Sequence, residues 1–255
     1  MKNILIIDSG SGGVNILVSC LKQKIEGNYF LFIDQKNLPY GEKSEEELKE
    51  IAQNIIEDLK FFHPEIIVLG CNTLTSVAIE FLRQKYDDIT FVGSEPAIKP
   101  ALLEFEKKDV LVLATNSTIK NSKILKNYKD ICFVPQKLPQ IIDENLFERK
   151  NISNYLKNIL KNKHPKAVVL GCTHFEEIKD ELKNVLCCSK FFSSGEGIAK
   201  RLKTFCECGN SFQVQIMCSQ EEKQGLFLEY FNHLMSKGNW LNQSLFQVCC
   251  NKYIL

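Results

Sequence analysis

The chain predicts an α/β protein made of two similar halves, each a parallel sheet flanked by helices, related by a pseudo-twofold with the active site in the cleft between them. Three observations lead there. Short β-branched runs alternate with longer amphipathic ones along most of the sequence, the pattern of strands and helices in βαβ order. Two stretches read as copies: His63-Pro64 followed by Ile66-Ile67-Val68-Leu69-Gly70-Cys71-Asn72-Thr73, and His164-Pro165 followed by Ala167-Val168-Val169-Leu170-Gly171-Cys172-Thr173-His174. His63 and His164, Cys71 and Cys172, and Glu95 and Glu196 each lie 101 positions apart, a sign of internal duplication. The start of each half also matches, Lys2 to Gly12 against Lys108 to Thr118 at an offset of 106.

Strands are expected near 3–7, 29–34, 66–70, 89–92, 110–114, 131–134, 167–170 and 190–193. The runs at 66–70 and 167–170 are apolar throughout and bounded by turn residues, as strands buried on both faces are. Helices are expected near 12–25, 44–62, 73–86, 97–106, 117–127, 151–162, 175–184, 195–205 and 220–236. Ser44 with Glu47 three residues on is a capping box that opens the second of these. Gly27-Asn28, Asp87-Asp88 and Lys107-Lys108-Asp109 punctuate the elements. The first domain is expected over 1–96, joined by 205–255 packing back onto it, and the second over 97–204.

With 32 basic against 31 acidic side chains and no basic stripe, the electrostatic case for nucleic acid is absent. No apolar run reaches the roughly 18 residues of a membrane span, and the chain opens on a strand without the look of a secretory leader, so a cytoplasmic protein is expected. Its 11 cysteines are an odd number in a long chain, which predicts thiols instead of a disulfide framework. Cys187, Cys188, Cys206, Cys208 and Cys218 crowd together without a Cys-x-x-Cys, a weak zinc signal, and no metal is expected. Most free cysteines are small core hydrophobes. Context alone lifts Cys71 and Cys172 above that reading: each falls just past the carboxyl end of a strand, where open α/β sheets place ligands.

Asp8-Ser9-Gly10-Ser11-Gly12-Gly13 lies between a strand and a helix, a place that favours anions, yet it fits neither a dinucleotide fingerprint nor a Walker loop. It reads as a pocket for a small carboxylate or ammonium with Asp8 as its ionisable member, or as a plain helix cap. A helix start beside Cys71 and Cys172 favours their thiolates, and His174 is placed to hold or pass a proton. One Cys with one His suits acyl transfer. Two equivalent thiols on opposite walls suit inversion of a stereocentre, where one base takes a proton from one face and a second acid returns one to the other.

Taken in order, Asp8-Ser9-Gly10-x-Gly12-Gly13, Pro39-Tyr40-Gly41, Cys71-Asn72-Thr73, Glu95-Pro96-Ala97, Thr115-x-x-Thr118 and Gly171-Cys172-Thr173-His174 resemble the bacterial glutamate racemases over about positions 3 to 205. The resemblance implies a cofactor-independent enzyme of two α/β domains that interconverts L- and D-glutamate for peptidoglycan, with a homodimer as the family expectation. It also implies catalytic roles for Cys71 and Cys172 assisted by Asp8 and His174, and substrate contacts from Ser9, Tyr40, Gly41, Asn72, Thr73, Thr115, Thr118 and Thr173. Three features depart from the family. Phe175-Glu176 stands where Tyr-Pro is usual, Ser193 or Ser194 replaces an Asp, and Ile142 occupies the place of a glutamate, with Asp143 and Glu144 displaced. That acidic role is therefore left unassigned. A racemase of aspartate or another small acid, a non-catalytic binding relative and a metal-binding module are the alternatives.

Overall fold

The computed structural model describes residues 1–237 and the backbone of a short strand at Val248–Cys249. The chain runs β1 (Asn3–Asp8), α1 (Gly12–Lys22), β2 (Gly27–Ile33), α2 (Glu45–Leu59), β3 (Ile66–Leu69), α3 (Asn72–Lys85), β4 (Thr90–Gly93) and α4 (Ile98–Glu104). It continues through β5 (Val110–Ala114), α5 (Asn116–Asn121), β6 (Cys132–Phe133), α6 (Leu138–Glu144), α7 (Lys150–Leu160), β7 (Ala167–Gly171), α8 (Lys179–Leu186) and β8 (Lys190–Ser193). The last elements are α9 (Gly195–Leu202), β9 (Phe212–Cys218), α10 (Glu221–Ser236) and β10 (Val248–Cys249).

Two sheets result, and every strand pairing within them is parallel. The first has the order β10-β9-β2-β1-β3-β4 and the second β6-β5-β7-β8. The duplication read in the sequence is thus a duplication of topology: β2-β1-β3-β4 and β6-β5-β7-β8 are one arrangement used twice. Cys71 follows β3, and Cys172 follows its counterpart β7.

Strand periodicity explains the layering. Successive side chains of a strand point to opposite faces, so Leu5 and Ile7 of β1 pack with Leu48, Ala52, Ile55 and Leu59 of α2 and Leu74, Ala78 and Leu82 of α3. Ile4 and Ile6 point the other way, into a cluster with Ile16, Leu17 and Leu21 of α1. That same cluster takes Leu111 and Leu113 of β5 and Val168 and Leu170 of β7, so one apolar core joins the inner faces of both sheets. On the outer face of the second sheet Val110, Val112 and Val169 meet Ile98 and Ala101 of α4. The expected capping box is present: Glu47 N donates to Ser44 Oγ at 3.2 Å, and Ser44 N donates to Glu47 Oε2 at 2.8 Å.

Several elements differ from expectation. The helix expected over 175–184 begins as a 3-10 segment at Thr173–Ile178 and becomes α-helical only at Lys179. The one expected over 117–127 ends at Asn121, where Ser122 turns extended and its hydroxyl accepts from the amides of Ile124 and Leu125. Strand β9 and helix α6 were not anticipated. Yet β9 shows a strand's alternation in Phe212, Val214 and Ile216, and α6 carries a proline in its first turn, where a missing N–H costs nothing.

Candidate active site

Cys71 and Cys172 open onto one cavity of about 320 Å³ lined also by Ser9, Tyr40, Gly41, Thr73, Thr115 and His174. A volume near the lower end for small-molecule sites suits a ligand of amino-acid size. Each thiol is held by its strand end and precedes a helical turn: Cys71 caps α3, and Cys172 caps the Thr173–Ile178 segment. The two sulfurs are 5% and 7% exposed at their residues, so both are nearly withdrawn from water while still facing the cavity.

Ser9 lines the wall directly, whereas Asp8 stands behind it, fully buried. Asp8 Oδ2 accepts the Thr173 hydroxyl at 3.0 Å and Oδ1 the Gly10 amide at 3.3 Å. Burial pushes its carboxyl up to about 6, opposed by His174 and by these two donors. Tyr40 anchors its turn by donating to Asp34 Oδ2 at 2.8 Å, and the turn's Gly41 lies close against Thr115. Thr73 of α3 and Thr115 and Thr118 of the second half form a triangle of hydroxyls with sides of 2.9 to 3.1 Å. Thr118 and Thr173 are buried behind the lining. Asn72, 2% exposed, faces a neighbouring cavity instead, with both atoms of its amide unpaired.

The Gly-rich segment owes its glycines to close packing. A Cβ on Gly10 would collide with Asp143 and His174, and one on Gly12 with Thr173. The segment is the floor on which the second half's catalytic-side residues rest.

Burial pushes the Cys71 thiol up to about 12, reinforced by Asp8 and Cys172. The thiolate-favouring helix start is therefore outweighed. Around Cys172 the chemistry differs. Its Sγ lies 3.6 Å from His174 Nδ1, and His174 Nε2 lies 3.3 Å from Asp143 Oδ1, an ion-pair distance. Burial disfavours a charged imidazole, but the Asp143 carboxylate and Cys172 overcome it and hold His174 well above the usual histidine range. Asp143 also takes hydrogen bonds from the Ser11 amide at 3.2 Å, the Ser11 hydroxyl and Gln35 Nε2.

Asp143 is the residue that sequence reasoning left unassigned, one position beyond Ile142. Glu177 was missed altogether: it is half-buried beside this group, accepts from Asn15 Nδ2 at 3.2 Å, and the desolvation of its carboxyl together with Asp143 raises it to about 8. Among the described residues no cluster of His, Cys, Asp and Glu is arranged to hold a metal ion, and no helix is long and apolar enough to cross a membrane.

Twin parallel sheets each deliver one thiol to a shared cavity, and the relatives that the chain matches make it an amino-acid racemase. No protein-family model matches the chain. Among curated relatives, the glutamate racemase of Clostridium perfringens (strain ATCC 13124) is 34% identical over 93% of this chain and 94% of its own length. Glutamate racemase 2 of Bacillus subtilis is 37% identical over 77% and 78%. The crystal structure of glutamate racemase from Campylobacter jejuni superposes with a TM-score of 0.79 at 23% identity, covering 91% of this chain and 99% of the other, a likeness of fold. The chain belongs to the glutamate racemase family.

Proposed function

We propose that this protein is a cofactor-independent glutamate racemase that interconverts L- and D-glutamate by proton transfer between Cys71 and Cys172, supplying D-glutamate for peptidoglycan in the cytoplasm. One observation carries the reading: two thiols at equivalent strand ends open onto a single small cavity. The substrate comes from the relatives, which are named as glutamate racemases.

In this reading the resting protein carries Cys71 as a thiol and Cys172 as the base. Burial favours the first state, and His174 stands with Nδ1 3.6 Å from Cys172 Sγ, within reach of a proton moving to or from that sulfur. Cys172 takes the α-proton of L-glutamate while the Cys71 S–H delivers its proton to the opposite face. One C–H bond breaks, one forms, and thiol and thiolate exchange places. The mirrored state accepts D-glutamate. Asp8 assists Cys71, and the His174–Asp143 pair assists Cys172. Backbone amides and hydroxyls of Ser9, Tyr40, Gly41, Thr73 and Thr115 hold the carboxylates and ammonium, with Asn72, Thr118 and Thr173 supporting them. The two domains of this enzyme would be 1–96 with 205–255, and 97–204.

The test is circular dichroism of a glutamate solution in heavy water with the wild type, Cys71→Ala and Cys172→Ala. The wild type should bring either enantiomer to zero ellipticity. Each variant should lose on the order of 10³-fold or more in rate, near the upper range of general acid–base effects. Robust racemisation by either variant would end the two-thiol proposal.

A further inference from the structure

The carboxylate beside His174 is itself held from outside the cavity. Gln35, buried in the turn after β2, donates from Nε2 to Asp143 Oδ2, and the same nitrogen lies 3.5 Å from the carbonyl of Ser9 on the cavity wall. Its Oε1 accepts from Lys223 Nζ at 2.9 Å, and Lys223 stands in the first turn of α10. The oxygen and nitrogen of a carboxamide are nearly the same size, so packing alone does not decide which faces Asp143. Turned over, Gln35 would set its own oxygen against Asp143 Oδ2, acceptor against acceptor. A lysine can only donate, so Lys223 fixes Oε1 outward and leaves Nε2 facing the carboxylate.

We propose that Lys223 and Gln35 form a clamp through which helix α10 holds Asp143 against His174 and so positions the pair that serves Cys172. Neither residue lines the cavity of the two thiols, so both are positioning residues that act through Asp143. On the other side, Asp8 is held by the neighbouring Gly10 amide and the Thr173 hydroxyl, neither of them on α10. The kinetic part of the inference rests on the racemase reading; the structural part does not.

Full-length Lys223→Met, Lys223→Arg and Gln35→Met test it, with two readouts. The first is racemisation from both enantiomers. The second is the titration of the His174 ring by NMR of protein labelled with ¹⁵N-histidine, its signals assigned by their absence in His174→Asn. The groups whose charges bear on that ring are Asp8, Cys71, Asp143, Cys172 and Glu177, with Lys223 beyond them. Lys223→Met and Gln35→Met should lower kcat on the order of tenfold in both directions while KM stays within about twofold, the mark of a misplaced catalytic group.

In both variants the His174 titration should move to lower pH, because Asp143 drifts away while burial still opposes the charged ring. Lys223→Arg, which donates to the same oxygen, should restore both properties. Loss of the lysine's charge by itself would move the titration upward. An upward or absent shift, or wild-type kcat in both Met variants, overturns the clamp. Far-UV circular dichroism checks the fold, and the half-buried Lys223 gives a variant that disturbs the core less than Gln35 does. If the wild type does not racemise glutamate, the two-thiol reading fails, while the histidine titration still decides the clamp.

Discussion

Cys71 and Cys172 stand at the same place in two sheets of the same order, yet their neighbours share almost nothing. Behind Cys71 lies Asp8, a buried carboxyl that accepts from the nearby Gly10 amide and from the Thr173 hydroxyl of the other half. Beside Cys172 lies an imidazole backed by Asp143, which is held in turn by Ser11 and Gln35. Duplication supplied the geometry, two sulfurs facing one space. Divergence around each sulfur then gave the two thiols different charged neighbours. The backbone around two thiols can therefore be symmetric while the side chains beside them are not.

The comparison is broken most directly on the side of Cys172. Asp143→Asn keeps the shape and removes the charge that sustains the imidazolium, so kcat/KM should fall about 10²-fold, within the range for a disabled acid–base partner. His174 lies well above the usual histidine range in the intact protein, so the loss of its charge should lower activity on the alkaline side of neutrality. In Asp143→Asn that decline should move to lower pH, and a pH–rate profile measures both.

On the side of Cys71 the buried charge bears on stability. Asp8 has a folded pKa of about 6 against an ordinary 3.8, so the folded state binds its proton more tightly than the unfolded chain does. The stability this gives is present in full below pH 3.8 and is lost as pH rises through 6. At pH 7 the ionised, buried carboxylate costs about 3 kcal/mol. Asp8→Asn should therefore raise the denaturant midpoint at pH 7 and leave it nearly unchanged at pH 3.5, while slowing racemisation on the order of tenfold. An equal shift at both pH values would sever the link between burial and charge.

The smallest expected effects compare two helix caps. Ser44 caps α2 away from the cavity, whereas Thr115 caps α5 by accepting from Thr118 N at 3.1 Å and also lines the cavity. Ser44→Ala and Thr115→Ala should each cost about 1 kcal/mol in denaturant unfolding. Only the second should raise KM for glutamate.

The fold was legible wherever a strand is buried on both faces, because such strands are continuous apolar runs: β1, β3, β5 and β7 were all read, and with them the places of both thiols. The capping box at Ser44 was legible because it is local. Asp143 was not, since its tie to His174 spans 31 positions and depends on the turn of α6, a seven-residue helix with little periodicity to betray it. Gln35 and Lys223 lie 188 positions apart and meet only once α10 has docked. Strand β9 was readable from its alternation. Glu177 gave no signal: its carboxyl is unusual only because of what covers it.

Ile4 and Ile6 of one sheet and Leu113 and Leu170 of the other share a single apolar cluster. Swinging the halves apart would bring that oily contact into water at every turnover, with about 25 cal/mol lost for each Å² exposed. Leu38–Glu42 of one half and residues between Val134 and Gln140 of the other both line the cavity, so the same parting would also pull its lining in two. The oily seam that joins the two sheets is thus a brake on any motion that would part them.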